Sequence, residues 1–275
     1  LNVLALALVL AVAALTSVGF LADRVQRAVE REAHQLLGGD LLLTADHPWS
    51  ADFRTAAQRH GLRVAESANL LSMVSSAGGV QLTEVKAVSE DYPLRGAMRI
   101  APRLKVSDDE TASVPAPGTA WPDERLAGAL GIDTGAVLRV GEFAPSVAAI
   151  VTLEPDRGIN PFALAPRLII NLADLPATQL IQPGSRISWR LHVAGEEAAV
   201  AAFRQWAAAH LGRGEKLEGL DNARPEVRNI IERAQRFLRL AALLTVVLAA
   251  IAVGMAARRY MQRHLDACAV MRCLG

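Results

Sequence analysis

Apolar residues gather into two long unbroken runs near the ends of this chain, with patterned stretches of charged and apolar residues between them. Leu1 to Ala22 carries no charged residue. Neither does Leu240 to Ala257, which is bounded by Arg239 on one side and by Arg258 and Arg259 on the other. At about 1.5 Å per residue the runs make helices of roughly 33 and 27 Å, close to the roughly 30 Å hydrocarbon core of a bilayer. Residues 1–22 and 240–257 are therefore predicted to be transmembrane helices. A cleaved signal peptide is the alternative for the first run, but its uncharged stretch exceeds a usual apolar region and no basic segment precedes it. The chain begins at Leu and stops at Gly275 inside a helical pattern, and it reads as a piece of a longer polypeptide.

Helical periodicity continues past both runs. Val25, Val29, Ala33, Leu36 and Leu37 keep an apolar stripe through charged surroundings until Gly38 and Gly39 end it. On the return, Pro225 opens a helix in which Val227, Ile230, Ile231, Ala234, Phe237 and Leu238 repeat at three-and-four spacing. Residues 23–39 and 223–239 are predicted to be stalks that bury their stripes against each other as an antiparallel pair. Two helices lying on the lipid surface are the alternative.

Residues 40–222 mix the two periods. Asp40 to Thr44 reads as a buried strand, and Ser50 to His60 as a helix capped by Ser50 and ended by Gly61. Arg63 to Ser76 and Val80 to Ser89 form a hairpin about Ala77-Gly78-Gly79. Ser107 to Pro122 reads as a long surface loop or a lobe boundary, Asp123 to Leu130 as a helix, and Ala136 to Val140, Ala148 to Leu153 and Arg167 to Leu172 as strands. In Arg186 to Val193, Ile187, Trp189, Leu191 and Val193 share a face, and Glu196 to Leu211 is a helix turning Val200, Phe203 and Ala207 inward. With no regular βαβ rhythm, the prediction is an α+β domain, in two lobes.

Charge orients the whole. Arg258, Arg259, Arg263 and Arg272 follow the second run against the single Asp266, so residues 258–275 are predicted to be cytoplasmic and residues 23–237 to lie across the membrane. High Ala and Arg against few Lys reads as a bacterial source, which makes that space a periplasm and the membrane the inner one. Removing Arg239, the four arginines that follow it and Asp266 from the totals leaves 24 Lys+Arg against 27 Asp+Glu outside. That balance gives no electrostatic reason to expect nucleic acid. Cys268 and Cys273 both fall in the tail, where a reducing compartment keeps thiols free, and five helical residues place them about 140° apart, poorly disposed to share a metal.

Catalytic chemistry is not evident. There is no GxxxxGK[ST] loop, and Gly212-Arg213-Gly214-Glu215-Lys216 has the wrong spacing for one. The six histidines (His34, His47, His60, His192, His210 and His264) have no paired spacing and read as surface or helix-end residues. Gly78-Gly79 lacks a nucleophile-elbow frame, and Glu90-Asp91 and Asp108-Asp109-Glu110 read as solvated loops. No catalytic residue, cofactor or metal ligand is predicted. The tail, Arg258 to Gly275, places Leu265, Ala269, Met271, Arg272 and Leu274 beyond a basic membrane boundary, with a Gly to close a helix. It is a lever that a partner protein could push, or an interfacial anchor with no partner.

That tail, ending Ala267-Cys268-Ala269-Val270-Met271-Arg272-Cys273-Leu274-Gly275, resembles the segment after the second span in FtsX-like permeases of ABC systems. The likeness extends to Val85-Lys86-Ala87-Val88-Ser89-Glu90-Asp91-Tyr92-Pro93-Leu94-Arg95-Gly96 and to Leu126 through Gly135. Glu154-Pro155-Asp156-Arg157-Gly158, Asn160-Pro161-Phe162, Ala165-Pro166-Arg167, Asn171 through Leu175 and Gln182 through Arg186 are similar to the YbbP-type branch.

The resemblance implies a MacB-like two-lobed periplasmic domain between the two stalks, and a coupling helix at Leu265, Val270, Met271, Arg272, Leu274 and Gly275 that docks on a cytoplasmic ABC ATPase. It implies further partners: membrane lipid, a second permease half or protomer, and a possible periplasmic partner. Work would be done outside the membrane on lipid, lipoprotein, a hydrophobic compound or a peptidoglycan hydrolase, with ATP hydrolysis left to the partner. A two-span receptor with a periplasmic sensor domain shares this topology, and so does a membrane-anchored assembly factor.

Overall fold

A computed structural model describes residues 38–157, 165–182 and 184–218, together with scattered positions between 13 and 24 and between 236 and 262. The chain divides into two compact units, Leu1–Glu30 with Arg224–Gly275, and Arg31–Ala223. In the first unit the described residues are helical, among them Phe20, Arg24, Leu240, Leu244, Leu248, Ile251 and Met255. Among the described residues no helix is long and apolar enough to cross a membrane.

The second unit is a mixed α and β fold. Strand β1 (Leu41–Ala45) is followed by helix α1 (Ala51–Arg59), then by the hairpin of β2 (Arg63–Ser76) and β3 (Gly79–Val88). Short strands β4 (Met98–Ala101), β5 (Asp109–Thr111) and β6 (Thr119–Pro122) lead to helix α2 (Glu124–Leu130). Strands β7 (Arg139–Val140), β8 (Ser146–Val147), β9 (Ile150–Leu153), β10 (Arg167–Asn171) and β11 (Ser188–Ala194) precede helix α3 (Glu197–His210) and strand β12 (Lys216–Glu218).

One large sheet runs β12-β1-β11-β2-β3-β10-β6-β8, with β7 paired to the far end of β2, and a small sheet runs β5-β4-β9. Strand β3 pairs antiparallel along its whole length with Ser67–Ser76 of β2, whereas β3 and β10 run parallel. Every residue of β10 is buried, as expected of a strand covered on both faces. Gly78 fixes the hairpin turn against α2, since a Cβ there would lie 2.1 Å from the Leu130 carbonyl oxygen. Only a residue without one fits.

Register sorts the side chains into two faces. Leu41, Leu43, Leu191 and Val193 face α1 and α3, and form one core with Trp49, Phe53, Phe203 and Ala207. Further along the same face Leu70, Val74, Val85, Leu168 and Ile170 pack with Leu126 and Leu130 of α2. The opposite face carries Ala65, Val88 and Ile169, which the small sheet and the Tyr92–Leu94 turn cover with Met98, Val151, Tyr92 and Leu94. Burying apolar area of this kind contributes roughly 25 cal/mol per Å².

The expected hairpin, both expected helices near 50–60 and 196–211, and the strands near 40–44, 167–172 and 186–193 are present, with ends shifted by one or two residues. Ser50 precedes α1 but makes no side-chain capping bond, whereas Asp123 caps α2 by accepting from the Leu126 amide at 2.8 Å. Two expectations are corrected. The segment Ser107 to Pro122 is not one loop, because β5 pairs with the preceding β4 and β6 with β10, a neighbour distant in sequence. The strand Ala136 to Val140 shrinks to Arg139–Val140, since Val137 makes an isolated bridge to Ser146 instead. The expected span at 1–22, the stalks and the segment 258–275 lie mostly outside the described residues, whereas more than half of the positions in 240–257 are described and are helical.

Candidate functional site

Alternation along β2, β3, β10 and β11 puts Ser67, Asn69, Glu84, Lys86, Arg167, Arg190 and His192 on one face of the large sheet. Sequence alternation alone reads such positions as solvated. The structure buries most of them, because the chain just past β9 brings Glu154 and Asp156 over this face, and the turn after β3 brings Tyr92.

Lys86 is the centre. Its ammonium donates to Tyr92 Oη at 2.8 Å, to Glu154 Oε1 at 2.6 Å and to Asp156 Oδ1. All three of its protons are used. Tyr92 passes its own proton toward Asp156 Oδ1 at 2.7 Å. Arg167 donates to Glu154 Oε2 at 2.6 Å and to Glu84 Oε2 at 2.7 Å, and Asn69 holds the other Glu84 oxygen at 2.9 Å. Arg190 lies 3.7 Å from Asp156 Oδ2, and His192 Nε2 is 3.0 Å from Ser67 Oγ with its ring edge-on to Tyr92. His192 is wholly buried, which corrects the expectation of a surface residue.

Burial penalises the charges on Asp156 and Arg167, yet their partners outweigh it. Desolvation works to raise Asp156, but Lys86, His192, Arg190 and Arg167 hold its carboxyl well below the usual range. Desolvation opposes the Arg167 charge, and Glu154, Glu84 and Asp156 reverse that and hold the guanidinium firmly protonated. The Tyr92 phenol is pushed well up by burial and then by Asp156 and Glu154. The cluster is thus a fixed array of charges with a neutral phenol. Its mutual pairing suits it to act as a structural element.

A second ring ties the chain's entry to this array. Gly38, at φ 63°, accepts at its carbonyl from the Leu94 and Arg95 amides at 3.1 and 3.3 Å. A Cβ at Gly38 would lie 3.5 Å from His192 Nδ1 and from the Tyr92 ring, and 3.6 Å from Asp156 Cβ. Asp40 receives the Arg95 guanidinium as a fork, at 3.0 Å from Nε and 2.8 Å from Nη2, and also the Gly195 amide at 3.0 Å. Fork geometry of this kind fixes direction as well as charge. In the small sheet Asp108 takes the Arg99 guanidinium and the Thr152 hydroxyl, so it is tied down rather than simply solvated.

Elsewhere a cleft of about 660 Å³ lies beside α1 and α3, lined by Phe53, Arg59, His60, Trp206, His210 and Glu215. The hairpin tip exposes Leu71, Met73, Val80 and Leu82. Among the described residues no group of His, Cys, Asp or Glu could hold a metal ion. Of the stalk residues named from sequence, Phe237 is helical and exposed; Val25, Val29, Leu36, Val227, Ile230, Ile231 and Ala234 lie outside the described residues. So do Leu265, Val270, Met271, Arg272, Leu274 and Gly275.

No family model matches this chain. It is 34% identical over 271 residues to the uncharacterized ABC transporter permease YbbP of Escherichia coli (strain K12), across 98% of this chain and 33% of that protein. The chain therefore spans about a third of the length of the relative it matches. Among solved structures it is similar to the periplasmic region of MacB from Actinobacillus actinomycetemcomitans, at 10% identity and a TM-score of 0.42 over 72% of this chain and 95% of that one. It is also similar to the extracellular domain of the noncanonic ABC-type transporter YknZ from Gram-positive bacteria, at 8% identity and a TM-score of 0.43 over 65% of this chain and 100% of that one. The likeness to ABC permeases read from the motifs thus extends over nearly the whole chain.

Proposed function

We propose that this chain is the opening segment of an FtsX-like permease subunit in an ABC-type mechanotransmission or export system. The observation that carries the reading is the 34% identity, over 98% of the chain, to a relative named as an ABC transporter permease. It favours a permease over a two-span receptor. Helices at 1–22 and 240–257 cross the inner membrane, 23–39 and 223–239 extend them as stalks, and 40–222 forms the two-lobed periplasmic domain.

Two features support this topology. The two terminal segments fall in one compact unit, and the helical Leu240, Leu244, Leu248, Ile251 and Met255 are each more than half exposed, as a lipid-facing stripe would be. Residues 258–275 dock on a partner ATPase, with Leu265, Val270, Met271, Arg272, Leu274 and Gly275 at the contact. Hydrolysis there moves the periplasmic domain, which acts on lipid or another hydrophobic compound. Changing Met271 or Leu274 to Asp should abolish co-purification of the ATPase while leaving membrane insertion intact. Undiminished co-purification and activity in both variants would contradict the proposal.

A further inference from the structure

We propose that the buried charge cluster is a clamp between two layers of the domain, which makes the chain entry at Gly38–Asp40, the Tyr92–Gly96 turn and the β9 layer move as one body with the central strands. It deepens the permease reading by naming the joint through which motion of the chain ahead of Gly38 reaches the sheet, and it rests on that reading only for its purpose.

The two layers carry opposite excess charge across their contact. Lys86, Arg167 and Arg190 stand on β3, β10 and β11 of the large sheet, with Glu84 of β3 paired to Arg167 in the same layer, whereas Glu154 and Asp156 follow β9 of the small one. Any slide of one layer over the other separates opposite charges that have no water to replace them. Lys86 spends all three protons on Tyr92, Glu154 and Asp156, so a shifted arrangement offers it no equivalent set of partners. The Glu154 carboxylate bridges Lys86 and Arg167, which locks β3 to β10 through the same contact.

The entry segment is held to the same body. Gly38 and Asp40 bind the Leu94–Arg95 turn and Gly195 through backbone amides and the Arg95 fork, and Gly38 lies against Tyr92, His192 and Asp156. Cohesion of the layers does not require these charges, since Ala65, Val88, Ile169, Met98 and Val151 already form an apolar core beside them. Buried ion networks often add little net stability over apolar packing of the same volume, but they fix one arrangement against its neighbours. The role that remains for this one is registry.

The test is amide hydrogen exchange on the full chain in lipid nanodiscs, comparing wild type with the charge-balanced double variant Lys86→Met/Asp156→Asn and with Asp40→Asn. In the double variant, exchange should rise roughly tenfold in peptides covering 38–40, 94–98 and 150–157, with α1 and α3 unchanged, as expected of a local rather than a global opening. Asp40→Asn acts at the rim, where the Arg95 partner is partly exposed, and leaves the buried cluster intact as a milder second variant. It should raise exchange at Leu94 and Arg95 by a few-fold and leave 150–157 as in wild type. Unchanged exchange at 150–157 in the double variant, unchanged exchange at Leu94 and Arg95 in Asp40→Asn, or acceleration spread evenly over the domain in either variant, would overturn the clamp. Because no ATPase is present in this measurement, failure of the permease reading would appear separately, as loss of ATPase co-purification from the wild-type chain.

Discussion

Lys86 and Asp156 are separated by 70 residues of chain, yet the Lys86 ammonium donates directly to the Asp156 carboxylate, and both side chains are closed to solvent. Neither charge has water to fall back on. Removing one partner leaves the other buried and uncompensated, which costs about 3–5 kcal/mol. Lys86→Ala should therefore destabilise the domain by that amount, measured by chemical unfolding followed through tryptophan fluorescence. The double variant Lys86→Met/Asp156→Asn should cost clearly less than the sum of its single changes. Additive costs would mean the two groups do not act together.

The acid limb of stability should come from this network. Glu84 is lowered because Arg167 and Asn69 overcome its desolvation, Asp156 because Lys86 and its cationic neighbours do, and Asp108 by the Arg99 and Thr152 hydrogen bonds. Each folded-state value lies below that of the unfolded chain. Their stabilisation is therefore complete above about pH 4 and is lost as pH falls through the folded values. The denaturant midpoint should be flat between about pH 5 and 7 and fall below about pH 4. A fall beginning near pH 6 would contradict this.

Tyr92 sets the alkaline limb. Burial and the adjacent carboxylates raise its phenol well above the ordinary value, so the unfolded chain releases this proton more readily than the folded one. Stability is complete below about pH 10 and declines above it. Tyr92→Phe should flatten that decline while costing about 1–3 kcal/mol at neutral pH, since Lys86 and Asp156 each lose a hydrogen-bond partner. The check is the midpoint measured against pH for both proteins.

Two glycines should rank by what surrounds them. Gly78→Ala drives a Cβ into the Leu130 carbonyl, whereas Gly38→Ala meets only ordinary contacts but carries the cost of a left-handed backbone. The first should cost more than the second, for which about 1 kcal/mol is expected. By contrast, Leu71→Ser and Met73→Ser on the exposed hairpin face should stay within about 0.5 kcal/mol of wild type. Thermal unfolding of the four variants decides the order.

How far the sequence could be read depended on the range of the interaction that forms each element. Hairpin β2–β3 and helix α3 are locally determined: period-two alternation about Ala77-Gly78, and three-and-four spacing of Val200, Phe203 and Ala207, suffice to find them. Strands β4, β8 and β12 are two to four residues long and pair with strands distant in sequence, and β5 is only three residues long, so no local period marks them. The charge cluster was hidden for the same reason. Lys86, Arg167, Arg190 and His192 alternate with apolar neighbours, which is the pattern of a solvated sheet face. Only the return of Glu154 and Asp156 from β9 turns that face into an interior. The one trace in the sequence was indirect: Lys86, Tyr92, Arg95, Glu154, Asp156 and Arg167 are residues of the motif blocks that carried the family resemblance, and the fold brings them together or, for Arg95, beside the entry.

Topology is the claim on which the permease reading rests, and these 275 residues carry their own probes, because their two cysteines, Cys268 and Cys273, both lie in the tail. The measurement is labelling of residues 1–275, expressed as one chain, in spheroplasts with a membrane-impermeant maleimide, alongside a Leu71→Cys variant that places a thiol on the exposed hairpin. The account predicts that the Leu71→Cys thiol reacts in intact spheroplasts, while Cys268 and Cys273 react only after the membrane is permeabilised. Labelling of Cys268 and Cys273 in intact spheroplasts, or protection of the hairpin thiol until permeabilisation, would contradict it.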